Sequence, residues 1–568
     1  MISDRFLLEA SPRQTLGWLM LLALVILAAG IGLRDPWPAD EPRFALVAKE
    51  MVESGRWLFP MRGGEIYPDK PPMFMWGIAL GYLVTGSLKA AFLLPSLLAG
   101  LGTLLLTWDL GRRLWNAQVG FLAGVLLLFT VQFTLQAKTA QIDALVSFFI
   151  TLGLYGFLRF LLTGGGWRWY YLGWFAAGLG IITKGVGILA VLVLIPAIWT
   201  HREQLRQASR AAWLKGLLGP LAMLLAIALW LLPMVATVAA SGDVVLQAYR
   251  DNILLRQTVT RYANSWHHVK PLWYYFTSVI PPFWLPVSLL LPWLAVCWTR
   301  AIRNEGDRRV ILLLGYLLLM LLFFSLSPGK RGVYITPGTP VLALLAAPWL
   351  SQLLDRVWPA RLLKGLGWLL ALVGIGGALA LMFNARLAAK AAELGAHPWL
   401  PLLILGLGLL VINGTLRRAP LLAILGSLAF GWLLYSTQIA MRLNEVRTPE
   451  EIMVKAAQEV PRGDQLLLVG FKEQHLLFAR QPLWHYSYHE ENRVQGREAA
   501  AWIEAMPGRR VLGSRNIISV CFDTEQTMNL GYRHRTDWLL ASADALRPEC
   551  RGGTPTIEPF FYAPKLVY

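Results

Sequence analysis

The chain has 568 residues, of which 56% are apolar and only 15% charged, and its 52 basic and 34 acidic side chains leave a net charge of +18. A water-soluble protein of this length carries about 25% charged residues, so the composition excludes a simple soluble enzyme, and its apolar content excludes a disordered chain. The basic balance makes a poor nucleic-acid signature among so many apolar runs; it fits a membrane protein whose cytoplasmic loops collect Lys and Arg.

A membrane helix needs about 20 apolar residues. Apolar runs occur near 16–33, 71–86, 91–110, 117–135, 144–163, 170–183, 185–200, 216–238, 281–298, 310–326, 336–354, 365–385, 399–416 and 420–441. No small-residue cleavage site follows the first; Arg34, Asp35 and Pro36 come next, so it reads as a retained helix. With Arg5 and Arg13 placed in the cytoplasm, letting every run span puts Arg112 and Arg113 outside and breaks the alternation. The run at 71–86 is short and opens with Pro-Pro. Reading it as an interfacial or re-entrant helix restores regularity. Arg112 and Arg113, Arg159 and Arg168, Arg202 to Lys215, Arg300 to Arg309, Arg356 to Lys364, and Arg417 with Arg418 then all fall inside. The expectation is an α-helical polytopic membrane protein with about 13 transmembrane helices, plus interfacial helices, and its C-terminus outside. Residues 1–441 form the membrane part. Its segments 34–90 and 239–280 are too long for connectors and are expected to lie over the membrane as the working face.

Composition changes from Arg442 onward, and 442–568 is expected to be a soluble α/β domain on the outer side. Glu450–Glu459 reads as a helix after Pro449, 465–471 as a buried strand, 498–506 as a helix, and 510–513 and 517–522 as strands. Cys521 and Cys550 fall in this domain, on the oxidising side, and are read either as a pair or as two free thiols. Cys297 lies in a span, as inert packing.

Ionisable groups at membrane depth are costly, so each prompts a functional hypothesis. The outer ends of the spans hold Asp40-Glu41-Pro42-Arg43, Tyr67-Pro-Asp-Lys70, Lys138 to Asp143, Thr183-Lys184-Gly185, and Ser327-Pro-Gly-Lys330-Arg331-Gly-Val-Tyr334. Three carboxylates (Asp40, Glu41, Asp143) and the cations Arg43, Lys70, Lys184, Lys330 and Arg331 therefore converge on one surface. Arg and Lys suit a phosphate, the first as a planar fork and the second as a point charge, with Tyr67 and Tyr334 as hydroxyl donors. Carboxylates among them suit acid–base work or recognition of an amine or hydroxyl. The bland alternative is that the cations snorkel to lipid headgroups and the carboxylates serve as their partners. His267-His268 is a candidate metal pair with Asp69 or Glu65. Adjacent histidines point in different directions, however, and no third ligand stands at usable spacing.

These strings resemble a known family. Trp37-Pro-Ala-Asp-Glu-Pro-Arg-Phe-Ala, Met51-Val-Glu-Ser-Gly-Arg-Trp57, Tyr67-Pro-Asp-Lys-Pro-Pro72, Thr183-Lys184-Gly185 and Gly329-Lys-Arg-Gly-Val-Tyr334 are similar to the lipid A aminoarabinose transferases. These are bacterial inner-membrane enzymes of the GT-C glycosyltransferase superfamily, related to protein O-mannosyltransferases. The resemblance implies transfer of 4-amino-4-deoxy-L-arabinose from undecaprenyl phosphate to a lipid A phosphate on the periplasmic face, with resistance to polymyxin and cationic antimicrobial peptides as the outcome. It implies Asp40 and Asp143, with Glu41, as catalytic carboxylates that hold the amino sugar, position the acceptor or relay a proton. Lys70 and Tyr67, with Arg43, Arg256, Lys330, Arg331 and Tyr334, would bind the carrier phosphate. Asp69 stands where relatives carry Glu, and Phe44 where some carry Tyr. No cofactor is required on this reading; a divalent metal at His267 and His268 is a secondary option. The partners are the lipid-linked donor, lipid A and membrane lipids, with no nucleic acid, and the chain is expected to act as a monomer. The alternatives are a polyprenyl-phosphate-sugar-dependent protein O-mannosyltransferase and, in a different class, a transporter or flippase for polyprenyl-linked sugars.

Overall fold

A computed structural model describes residues 12–254, 268–393, 399–461 and 463–565. Among them, six helices are long and apolar enough to cross a membrane: Leu88–Leu114, Ile142–Leu162, Arg210–Ser241, Arg308–Leu326, Val357–Phe383 and Pro420–Arg447. Two further pairs, Ala117–Leu128 with Val131–Ala137 and Tyr275–Phe283 with Val287–Glu305, are bent by 70° and 113°. The chain is a multi-pass membrane protein. Leu214, Leu217, Leu221 and Leu225 stand exposed along one stripe of Arg210–Ser241, an arrangement that only a lipid solvent makes favourable.

The run at 71–86 becomes the helix Met73–Thr85. Its 13 residues rise about 20 Å, short of the roughly 30 Å hydrocarbon core. Ile142–Leu162 shows how charge sorts to the two ends of the bundle: Asp143 is in its first turn and Arg159 in its last. At the Arg159 end, Asp109 accepts from Arg112, Arg113 and Tyr155 at 2.5, 2.5 and 2.6 Å. Arg309 joins the same end by donating to the Leu114 carbonyl at 2.7 Å. Arg112, Arg113, Arg159 and Arg309, four of the basic residues that the charge pattern assigns to one side, thus gather at this end.

The last long helix ends at Arg447. Beyond it, six strands among the described residues form a sheet in the order β6-β7-β5-β3-β4-β8. These are β3 (Gln465–Val469), β4 (Leu483–His485), β5 (Arg509–Ser514), β6 (Met528–Arg533), β7 (Thr536–Ala541) and β8 (Phe560–Tyr562). Strands β3, β4 and β5 run parallel, and the other pairings are antiparallel. Successive side chains on a strand point to opposite faces, and β3 uses both. Leu466 and Leu468 pack with Phe44, Leu46 and Phe74 of the segment 34–90; Leu467 and Val469 pack with Trp502 and Ile503 of the helix Asn492–Glu504. Two-sided burial explains its unbroken apolar run. Cys521 and Cys550 form a disulfide with their Cα atoms 5.6 Å apart.

The segment 517–522 is not a strand. It begins in a short helix, Arg515–Ile518, followed by a turn. Ile517, Ile518, Cys521 and Phe522 are all buried; their spacing of one, four and five residues is that of a helical face, not of alternation.

Residues 34–90 hold the helix Glu41–Ser54 and a hairpin, β1 (Met61–Arg62) and β2 (Glu65–Ile66). Its two-residue turn is Gly63-Gly64, both at positive φ (68° and 83°), as a type I′ turn demands. Buried Glu50 accepts from both of their N–H groups, at 2.5 and 3.2 Å. Burial raises its carboxyl to about 7. A raised folded-state value favours the protonated form in the fold, so this contribution is complete below the ordinary carboxylate range and is lost as pH rises toward 7. Glu50→Gln should therefore remove up to about 3 kcal/mol of stability loss between roughly pH 4.5 and 7. Unfolding at the two pH values checks it; an unchanged slope would refute the assignment.

Candidate active site

The chain doubles back at Thr183-Lys184-Gly185, between the helix Trp167–Ile181 and the tight helix Gly185–Val193. A Cβ on Gly187 would lie 2.1 Å from the backbone of Gly180, so only glycine lets the two segments approach. This reversal aims Lys184 at the start of Ile142–Leu162. Its Nζ donates to Asp143 at 2.6 Å and lies 4.5 Å from the centre of the Tyr334 ring. A carboxylate in the first helical turn is also favoured by the helix dipole.

These groups border a cavity of 440 Å³. Its polar lining includes Asp69, Lys70, Asp143, Ser147, Lys184 and Tyr334, and its apolar wall includes Ile181, Ile182, Ile227, Trp230, Leu231, Phe323 and Phe324. The Ser147 hydroxyl, one turn below Asp143, is buried without a hydrogen-bond partner among the described residues. One cavity thus combines cations with a greasy wall, which suits a ligand that is charged at one end and hydrocarbon at the other.

Asp40 stands at the N-cap position of the helix Glu41–Ser54 without a side-chain capping bond, and pairs with Arg331 at 3.1 Å, with Arg43 at 3.9 Å. Arg331 also feels the charge of Asp143. Asp40, Arg331, Asp143, Lys184 and Tyr334 therefore form one network, although they come from four separate parts of the sequence.

Other expected residues sit elsewhere. Glu41 is a structural clamp: its oxygens accept from Arg34 at 2.5 and 2.8 Å, from Trp37 N–H at 2.8 Å and from Ala140 N–H at 2.9 Å. With each oxygen already accepting twice, it is badly placed for chemistry on a substrate. Arg43 turns to Glu473, to which its Nε donates at 2.6 Å, and does not line the cavity. Tyr67 is buried beneath Arg62, whose guanidinium lies 5.5 Å from the ring centre. Burial pushes the Tyr67 hydroxyl up, against the pull of Arg43 and Arg62. Lys330 braces its own loop, donating to the carbonyls of Ser327 and Lys270 at 2.6 and 3.0 Å. Lys138 donates to the carbonyls of Ile26 and Ala29 at 2.7 and 2.8 Å, satisfying the open end of the first helix. Arg256 and His267 lie outside the described residues. His268 is exposed, and its carbonyl accepts from Lys330 N–H at 2.9 Å. Among the described residues, no group of three His, Cys, Asp or Glu side chains is placed to hold a metal.

In the sequence, Lys184 is set apart from the other interfacial cations only by its position between two apolar runs. Glu473 carries no such mark, since it lies 430 residues from its partner Arg43.

Residues 69–230 match the dolichyl-phosphate-mannose-protein mannosyltransferase family. An undecaprenyl phosphate-α-4-amino-4-deoxy-L-arabinose arabinosyl transferase of Pseudomonas aeruginosa is 31% identical over 476 residues, 80% of this chain and 82% of its own length. A relative with the corresponding description from Pseudomonas fluorescens is 33% identical over 381 residues, and the chain spans 65% of its length. Among solved structures, ArnT from Cupriavidus metallidurans bound to undecaprenyl phosphate superposes with a TM-score of 0.73 at 21% identity, over 94% of this chain and 99% of that one.

Proposed function

The chain belongs to the family of undecaprenyl phosphate-α-4-amino-4-deoxy-L-arabinose arabinosyl transferases, and from that premise we propose that it moves this amino sugar from its undecaprenyl phosphate carrier to a phosphate of lipid A. The observation that carries the reading is the cavity in which Lys70, Lys184 and Tyr334 meet an apolar wall beside Asp143. The GT-C-type membrane fold shared with ArnT supports it. We place the chain in a bacterial inner membrane with about 13 spans, and the cavity and the sheet unit on the periplasmic side. The two ends of Ile142–Leu162 support that orientation.

The reaction is a displacement at the anomeric carbon: an acceptor phosphate oxygen forms the new bond as the carrier phosphate leaves. An acceptor phosphate monoester is already anionic near pH 7, so no strong general base is needed, and no metal is assigned a role. Catalysis then rests on positioning and on stabilising charge on the leaving phosphate. Lys70 and Lys184 serve the carrier phosphate, with Tyr334 beside them. Asp143 and Asp40, each beside a cation, orient the sugar amine and the acceptor. Adding an amine to lipid A lowers its negative charge, which accounts for resistance to polymyxin and cationic peptides.

The match to mannosyltransferases of proteins favours a second reading, transfer to a protein hydroxyl. Mass spectrometry separates the two. Lipid A incubated with the purified chain and the lipid-linked amino sugar should gain the mass of one aminoarabinose, and Lys70→Ala should prevent the gain. Unmodified lipid A together with a glycosylated exported protein would decide for the second reading.

A further inference from the structure

Asp40 stands between two cations, Arg331 at 3.1 Å and Arg43 at 3.9 Å. Asp40 and Arg43 stand three positions apart, about one helical turn, and within their own segment the Tyr67 hydroxyl also engages the Arg43 guanidinium. The charged restraint comes from the sheet unit. Glu473, at the start of the short helix after β3, is buried and takes the Arg43 Nε–H at 2.6 Å. The hydroxyl of Tyr488 holds a second corner of the same guanidinium at 3.4 Å. Arg62 stands 3.8 Å from the same Glu473 oxygen and adds a second cation to it. A buried carboxylate between two arginines is expensive to desolvate unless both stay in place, so the contact is a stiff one.

We propose that Glu473 is a positioning residue for sugar transfer: by holding Arg43 away from Asp40, it leaves the Asp40 carboxylate to Arg331 and the substrate. The inference rests on the sugar-transfer reading above, and it gives the sheet unit a part in the chemistry at the membrane face. Without the Glu473 charge, Arg43 pairs with Asp40 at the favourable spacing of neighbours on one helical turn. Asp40 is then doubly engaged and turned from its working position.

The test uses the full chain in lipid nanodiscs, with the lipid-linked amino sugar and lipid A as substrates. Glu473→Ala should lower kcat by roughly tenfold to a hundredfold, the scale of a misplacement near 1 Å, with the donor KM changed by less than about twofold. Glu473→Asp should recover part of the loss. The discriminating variant is Glu473→Ala combined with Arg43→Gln: with the invading cation removed, kcat should rise above that of Glu473→Ala alone. A purely structural contact predicts the reverse, since the double variant loses still more packing. Equal or lower kcat in the double variant, or wild-type kcat in Glu473→Ala, overturns the proposal. The structure of Glu473→Ala reads the same inference without turnover: Arg43 should close to hydrogen-bond distance of Asp40, and an Arg43 that stays put overturns it. Absence of transfer by the wild-type chain would instead sink the sugar-transfer reading and leave the structural measurement to decide the role of Glu473.

Discussion

Asp143→Asn should lower the turnover number by roughly 10²–10³-fold, the scale seen when one preorganised electrostatic contact is removed from an active site, with little change in the unfolding midpoint. The asparagine keeps the shape of the side chain and an oxygen facing Lys184, now at 2.6 Å from Asp143, but removes the charge that fixes the ammonium over the Tyr334 ring. Lys184→Gln should cost a similar factor by withdrawing a cation from the leaving phosphate. Residues that act as a unit give non-additive losses, so the double variant should be little worse than the worse single one. Single-turnover rates per folded molecule check this. Losses that multiply would mean that Asp143 and Lys184 act on separate steps, and wild-type turnover in Asp143→Asn would remove it from the site.

The expected polarity of the bundle was written in its charges because lipid punishes misplaced ones. The apolar run at each membrane segment announced a helix, and arginines from two of the segments that the charge pattern assigns to one side, Arg112 with Arg113 and Arg159, meet around Asp109. Asp40, Asp143, Lys70 and Tyr334 were legible as polar groups where polar groups are costly. Which of them touch was not. Glu41 and Arg43 follow Asp40 closely in sequence, and the same cost argument applies to all three. Only the fold shows that Glu41 faces Arg34 and Arg43 faces Glu473, while Asp40 alone faces Arg331. Adjacent residues at a helix start point in different directions, and that rotation separates anchor from active group. Lys330 and Arg331 make the same point in the later loop: one ties the loop together and the other reaches Asp40. The segment at 517–522 misread as a strand shows the matching limit for short apolar runs, where few residues cannot distinguish a period of two from one of 3.6.

Glu41→Ala should show the opposite signature to Asp143→Asn: a loss of about 3–5 kcal/mol in stability, the usual cost of removing one partner of a buried ion pair. Arg34 is only 7% exposed, as is Glu41. Without the carboxylate, Arg34 keeps the carbonyls of Asp35 and Lys138 at 3.0 and 3.1 Å, together with the face of Trp37 at 4.6 Å, but no longer has this counterion. The Trp37 and Ala140 N–H groups lose their acceptor as well, and a buried donor left unpaired costs a further 1–3 kcal/mol in roughly the same accounting. These contacts fasten the segment 34–90 to the chain just before Ile142–Leu162, so their loss loosens Asp40 and Asp143 together. Activity should fall with the folded fraction and return on cooling. Thermal unfolding and turnover, measured on the same preparation, separate the possibilities. A wild-type midpoint with lost turnover would return Glu41 to the catalytic role that its position beside Asp40 suggests in the sequence.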